Sequence, residues 1–218
     1  MFKNLTQNPA VPIACEIDTA ADDEIAEIPG LVSPSGDLEW FSRDSEIARF
    51  FSCPEAEQAT RAALRAHDDV YLRTDSGTIV CIASRARVQA AAALQQFGEC
   101  IEAHNVMALT SGSLEEALGH YRRAVAAAGA CGRTPRCFRA SVAALQAELC
   151  RESRRDGASA WEHVPLRGYV RAVHGVANTL RKLGRPKEAL PAAGRGAIQT
   201  PLSISHWWYT LQSVRAGV

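Results

Sequence analysis

The sequence predicts a mainly α-helical protein, with antiparallel helical hairpins stacked into a short solenoid behind a small N-terminal helix and β-hairpin region. Three observations carry this reading. After Ser84 the apolar residues recur with a period near 3.6, the signature of amphipathic helices. Gly184 separates two helical stretches, one running through Ala177 and Leu180 to Leu183 and one opening at Pro186. The pattern of glycine, three residues and then Glu-Ala-Leu occurs twice, from Gly112 to Leu118 and from Gly184 to Leu190. A hairpin cannot bury its apolar face alone, so a repeated one implies stacking.

Residues 1–43 read as an acidic irregular arm, because Pro9, Pro12, Pro29, Pro34, Gly30 and Gly36 interrupt every periodic pattern. Residues 44–83 form a small region of their own. In it Ser45 to Phe51 and Pro54 to His67 have helical spacing, and two β-prone runs, Val70 to Arg73 and Thr78 to Ile82, flank the turn signal Asp75-Ser76-Gly77. Residues 84–218 are the helical domain. Arg85 to Leu109 is alanine-rich, with Gly98 placed to divide it; Ser113 and Glu116 have the spacing of a capping box for a helix reaching about Ala128. Thr134-Pro135 reads as the start of a helix lasting to Cys150, Pro165 as the start of one lasting to Leu183, and Pro186 as the start of its partner. Beyond Pro201 the aromatic segment Ile204 to Val214 reads as a helix covering the end of the stack.

The formal net charge of zero hides two opposite poles. Residues 1–118 hold 19 acidic and 8 basic side chains, whereas residues 119–218 hold 5 and 16. Such a division implies an acidic partner for the basic half, or one half lying against the other. Arginine supplies 21 of the 24 basic residues, a composition suited to carboxylates or phosphates. Seven cysteines, an odd number spread along 218 residues, argue for reduced thiols and a cytoplasmic protein. No apolar run approaches the roughly 20 residues needed to span a bilayer, and Met1 to Cys15 lacks the apolar centre of a signal peptide.

Around the two glycine-centred stretches the chain resembles the tetratricopeptide repeat family, over about residues 112–201. Val173, Val176, Ala177 and Leu180 match the first helix of a unit, Gly184 its turn, Ala189 the close helix crossing and Pro201 its end; Gly112, Ala117, Tyr121 and Ala124 match a second helix. Ala193 and Gly196 stand where the family has an aromatic residue and an alanine. The glycines lie 72 residues apart, so the resemblance implies a longer intervening unit around Cys137 to Trp161 and about three hairpins in all. It further implies a concave surface that binds polypeptide, with polar residues of the first helices receiving carboxylates. His174, Asn178 and Arg181 stand at such positions here, spaced to share one helical face.

A second basic set, Arg122 and Arg123 on one helix with Arg151, Arg154 and Arg155 on another, faces the same question of what it holds. Nucleic acid would require stacking aromatics interleaved with the arginines, whereas the aromatics cluster at the C-terminus. An internal partner is available in Glu16, Asp18, Asp22, Asp23, Glu24 and Glu27 of the arm, which would lie on the basic half as a weakly held, displaceable pseudo-ligand. Cys100 with His104, and Cys131 with Cys137, lack the tight Cys-x-x-Cys knuckles of a zinc site. Neither a nucleophile motif around the six histidines nor a glycine-rich phosphate loop is present, so no catalytic residue, metal or cofactor is assigned.

The function predicted is therefore a protein-protein adaptor, binding an acidic or carboxylate-bearing segment on a basic helical groove through His174, Asn178, Arg181, Arg122, Arg151 and Arg155. Two alternatives stay open. One is an enzyme or enzyme subunit whose N-terminal region offers a pocket with Cys81 or His67, and the other a phosphate or RNA binder using the arginines of the C-terminal half.

Overall fold

The computed structural model describes residues 37, 41, 47–70, 72–73, 79–80, 83–128, 137–153 and 163–189, and the chain there is mainly helical. A 3₁₀ turn at Ile47–Phe50 precedes α1 (Pro54–Val70). Two short strands follow, β1 (Leu72–Arg73) and β2 (Ile79–Val80), paired antiparallel with Leu72 opposite Val80. Next come α2 (Ala83–Gln96), α3 (Ile101–Leu109), α4 (Leu114–Ala127), α5 (Val142–Ser153) and α6 (Val164–Lys182), and residues 186–189 are helical again. Apart from residues 37 and 41, the acidic arm over 1–43 lies outside the described residues, as do the turn at 75–77 and the aromatic segment at 204–214.

Local chemistry explains the boundaries. Pro54 opens α1, where its missing N–H costs no hydrogen bond, and Glu55 and Glu57 complement the dipole of that first turn. The break between α2 and α3 falls at Gly98, and Arg87 of α2 then ties the next turn together, donating to the Thr110 carbonyl at 3.0 Å and to Glu116 at 2.6 Å. The Ser113 hydroxyl accepts from the Glu116 N–H at 3.2 Å. The Glu116 carboxylate reaches back to the Gly112 N–H at 3.3 Å rather than to the cap residue's own N–H. At the end of α6 the Gly184 N–H bonds the Arg181 carbonyl and the Arg185 N–H bonds the Leu180 carbonyl, the two bonds of a Schellman motif. That motif needs a left-handed residue, and Gly184 has φ of 71°.

One boundary differs from expectation. Thr134 and Pro135 lie outside the described residues, and α5 begins only at Val142, with the Ser141 hydroxyl accepting from the Ala144 N–H at 3.1 Å. Residues 137–139 instead pair with the N-terminal segment, with Phe138 bridged antiparallel to Phe51. The Ser52 N–H donates to the Cys137 carbonyl and the Arg139 N–H to the Phe50 carbonyl, both at 3.0 Å. Phe138 stacks obliquely on Phe51, and burying these rings outweighs the local helix signal upstream.

Helix α3 is the hub, packed against α1, α2, α4 and α6. The pairs α1–α2 and α4–α6 are also in contact. Helix α5 joins the main core through Val142, Leu145 and Leu149. Alanines dominate the α1–α2–α3 contact, including Ala59, Ala63, Ala90 and Ala103, and their small side chains let helix backbones approach closely. Where α4, α6 and residues 186–189 meet, both alanines of the repeated Glu-Ala-Leu pattern, Ala117 and Ala189, share one apolar cluster with Tyr121, Ala177 and Leu180. Two glycines make the α6 contacts possible. A methyl group at Gly168 would stand 2.6 Å from the Glu102 carboxylate, and one at Gly175 would stand 2.4 Å from the Tyr121 ring.

Candidate functional site

Because α3 is surrounded, its polar side chains must find partners inside the protein. Glu102, His104 and Asn105 are all buried, and they divide between two neighbours. Glu102 and Asn105 turn to α6. The Asn105 amide N–H₂ donates to the Gly168 carbonyl at 2.8 Å and to Glu102 at 3.2 Å, while its buried Oδ1 has no hydrogen-bond partner among the described residues. Glu102 accepts from Arg171 Nη1 at 2.7 Å, and the absence of a side chain at Gly168 is what lets that carboxylate lie against α6.

Arg171 is a fork with two carboxylates. Its other terminal nitrogen, Nη2, donates to Asp37, which also accepts from Arg167 Nη1 at 2.5 Å. Asp37 is 1% exposed and Glu102 4%, so two carboxylates and two guanidinium groups meet in a largely desolvated contact between α3, α6 and Asp37. Burial alone would depress Arg171, but Glu102 and Asp37 outweigh it and hold the guanidinium above its ordinary pKa. His67, near the end of α1, senses the same charges. Burial chiefly, and then Arg171, lowers its pKa, so His67 is neutral at pH 7.

The third polar residue of α3 turns to α4. His104 Nε2 lies 3.2 Å from the Gly98 carbonyl, an acceptor only, and must carry the proton; its Nδ1 then accepts from His120 Nδ1 at 3.3 Å. Burial first and His120 second lower His104 to about 4, and burial followed by Arg123 lowers His120. Cys100, considered with His104 as a metal pair, instead contacts Thr60 Oγ1 at 3.8 Å, and burial pushes its thiol up to about 11. Among the described residues no group of three or more His, Cys, Asp or Glu is placed to hold a metal ion.

The six residues singled out from sequence fall in different places. His174, Asn178 and Arg181 are half-buried on α6, and Arg181 Nη2 donates to Asn178 Oδ1 at 3.3 Å. Arg122 is exposed on α4 and pairs at 3.7 Å with Glu188. Arg151 is exposed on α5, where it donates to the Ala147 carbonyl of its own helix, and Arg155 lies outside the described residues. Residues 167, 171, 174 and 178, spaced by four, three and four, continue one face of α6. The stripe was therefore recognisable from sequence, but its two innermost arginines were missed. The signal was present, because Arg167 and Arg171 extend the same periodicity one and two turns toward the N-terminus.

Cys81, the other half of the enzyme alternative, lies outside the described residues. Within them no helix is long and apolar enough to cross a membrane. Comparisons with protein-family models, with curated proteins and with solved structures find no match to this chain.

Proposed function

We propose that the protein is a cytoplasmic protein-protein adaptor of the tetratricopeptide-repeat type, in which α1, α3 and α6 are the first helices of stacked hairpins and their polar face receives an acidic polypeptide segment. The observation that carries this reading is the α6 stripe of residues 167, 171, 174 and 178, whose first two members already hold a carboxylate supplied by a distant part of the chain. Successive contacts of α1 with α3 and of α3 with α6 favour a hairpin stack, as does the meeting of Ala117 and Ala189 in one cluster. Arginine suits the role because its planar fork binds carboxylates with directional, charge-assisted hydrogen bonds. A pre-formed helical face also loses little entropy on binding.

The test is direct. A fluorescent peptide of alternating glutamate and serine, free of aromatic residues, is titrated into the intact chain and into an Asn178→Ala, Arg181→Ala chain, with a lysine-serine peptide as control. Saturable binding of the acidic peptide alone, weakened about tenfold or more in the double variant, is the expected result. Equal binding of both peptides, or none, would reject the adaptor reading.

A further inference from the structure

Helices α3 and α4 meet through two imidazole rings. His104 and His120 present Nδ1 to Nδ1 at 3.3 Å, while their ring centroids stand 5.6 Å apart, so these nitrogens are the facing edges of the pair. Both residues are buried, at 7% and 8% exposure, which fixes the rings by packing and still leaves solvent a way in. The separation is specific. Two imidazole nitrogens bound to one tetrahedral zinc ion, at about 2.0–2.1 Å each, lie about 3.3 Å apart. The right-angled positions of a square-planar or octahedral ion would bring them to about 2.9 Å. The other nitrogen of His104 is placed as it would be in a metal ligand. Its Nε2–H points at the Gly98 carbonyl, 3.2 Å away, which sets the tautomer and turns the Nδ1 lone pair toward His120.

We infer that His104 and His120 form a two-histidine zinc(II) site that staples α3 to α4, with water completing the tetrahedron. The site is independent of the adaptor reading. Without metal the rings share one hydrogen bond, in which His120 Nδ1–H donates to His104 Nδ1. Zinc replaces that bond with two Zn–N bonds, and the displaced proton passes through solvent to His120 Nε2, so both rings stay neutral and nothing is oxidised or reduced. The ion stands to one side of the line joining the nitrogens, and turning the two rings brings their lone pairs onto it. Burial, the main cause in each case, lowers the pKa of both histidines, so neither lone pair is lost to a proton at pH 7. The charged groups around the pair nearly balance: Arg123 and Arg87 oppose a dication, while Glu99 and Glu116 favour it. With two protein ligands and no net attraction, the site binds zinc at roughly micromolar concentration, well short of a structural centre with four protein ligands.

The probe is zinc(II) itself, titrated into the full chain at pH 7 in a non-chelating buffer while the histidine ring nitrogens are followed by long-range proton–nitrogen NMR. The Nδ1 signals of His104 and His120 should move together to metal-bound positions, and magnesium should move neither. Zinc affinity, measured by competition with a chromophoric chelator, should fall about tenfold or more in His104→Gln and in His120→Gln proteins, at least the cost of losing an outer-shell partner. Cobalt(II) in place of zinc should give the visible bands of a tetrahedral ion without thiolate charge transfer, which separates this pair from any site built on cysteine. Unmoved Nδ1 signals, zinc affinity that both substitutions leave intact, or cobalt bound through thiolate alone would each overturn the inference. Should either variant fail to fold, the ring nitrogens of the unaltered protein decide the matter: ligation at both Nδ1 atoms sustains the site, and any other pattern removes it.

Discussion

Two regions of the molecule use the same chemistry, an arginine shared between two carboxylates, in opposite surroundings. At the α3–α6 contact Arg171 bridges Asp37 and Glu102 in the interior. Beyond Gly184, Arg185 bridges Glu188 at 2.7 Å and Glu115 at 3.7 Å in contact with solvent. In the first region each charge is stabilised almost wholly by its partners, so removing one strands the others in a medium that solvates them poorly. In the second, water replaces any lost partner and long side chains gain freedom when released. The geometry of an ion pair therefore says little about its importance until its burial is known.

The largest expected effect comes from breaking the buried region. Arg171→Ala takes from Glu102 and from Asp37 the guanidinium they share, and should lower stability by about 3–5 kcal/mol in urea unfolding. A change below about 1 kcal/mol would mean that water already enters the contact, erasing the distinction between the regions. Next, Gly175→Ala forces a methyl group into the Tyr121 ring and should cost about 1–3 kcal/mol by the same measurement, with Tyr121→Leu in the same chain recovering part of it.

The histidine pair offers a test by pH. His104 is held at about 4 in the folded protein, below its ordinary value of 6.5, so the unfolded chain binds more protons between these limits. Stability should thus be complete above about pH 7 and decline by about 1–3 kcal/mol as pH falls from 6.5 to 4, with His67 and His120 acting in the same direction. Protonating His104 also sets two N–H donors face to face across the 3.3 Å contact. Urea midpoints measured from pH 7 to pH 4 check this, and His104→Gln should flatten the curve. The smallest effect is expected at the surface: Arg185→Ala should leave the thermal midpoint unchanged within error, although it removes two ion pairs.

The parts of this structure that were legible in the sequence are those decided within a turn or two of chain. The cap at Ser113, the break near Gly98 and the start of α1 at Pro54 depend on a few adjacent residues. The stop at Gly184 does as well, since its carbonyls, left-handed glycine and closing N–H groups all lie between residues 180 and 185. The helix expected from Thr134 failed to continue through 137–139 because that stretch is claimed by Phe51, far away in sequence. The polar face of α6 was half legible. Periodicity shows the stripe, but which of its members meet a carboxylate depends on where Asp37 comes to rest.

By itself, then, the sequence determined a mainly helical protein with an acidic first half and a basic second half, and set the local starts and stops of its helices, because hydrogen-bond capping and backbone preference act over a few residues. Only the tertiary structure decided that Asp37 would be the acid to enter α6, that Glu102 and Asn105 would support the receiving arginines, and that Gly168 and Gly175 would admit Glu102 and Tyr121. Those outcomes hang on burial and on shape between segments more than 50 residues apart, where electrostatic and packing energies depend on what excludes the water.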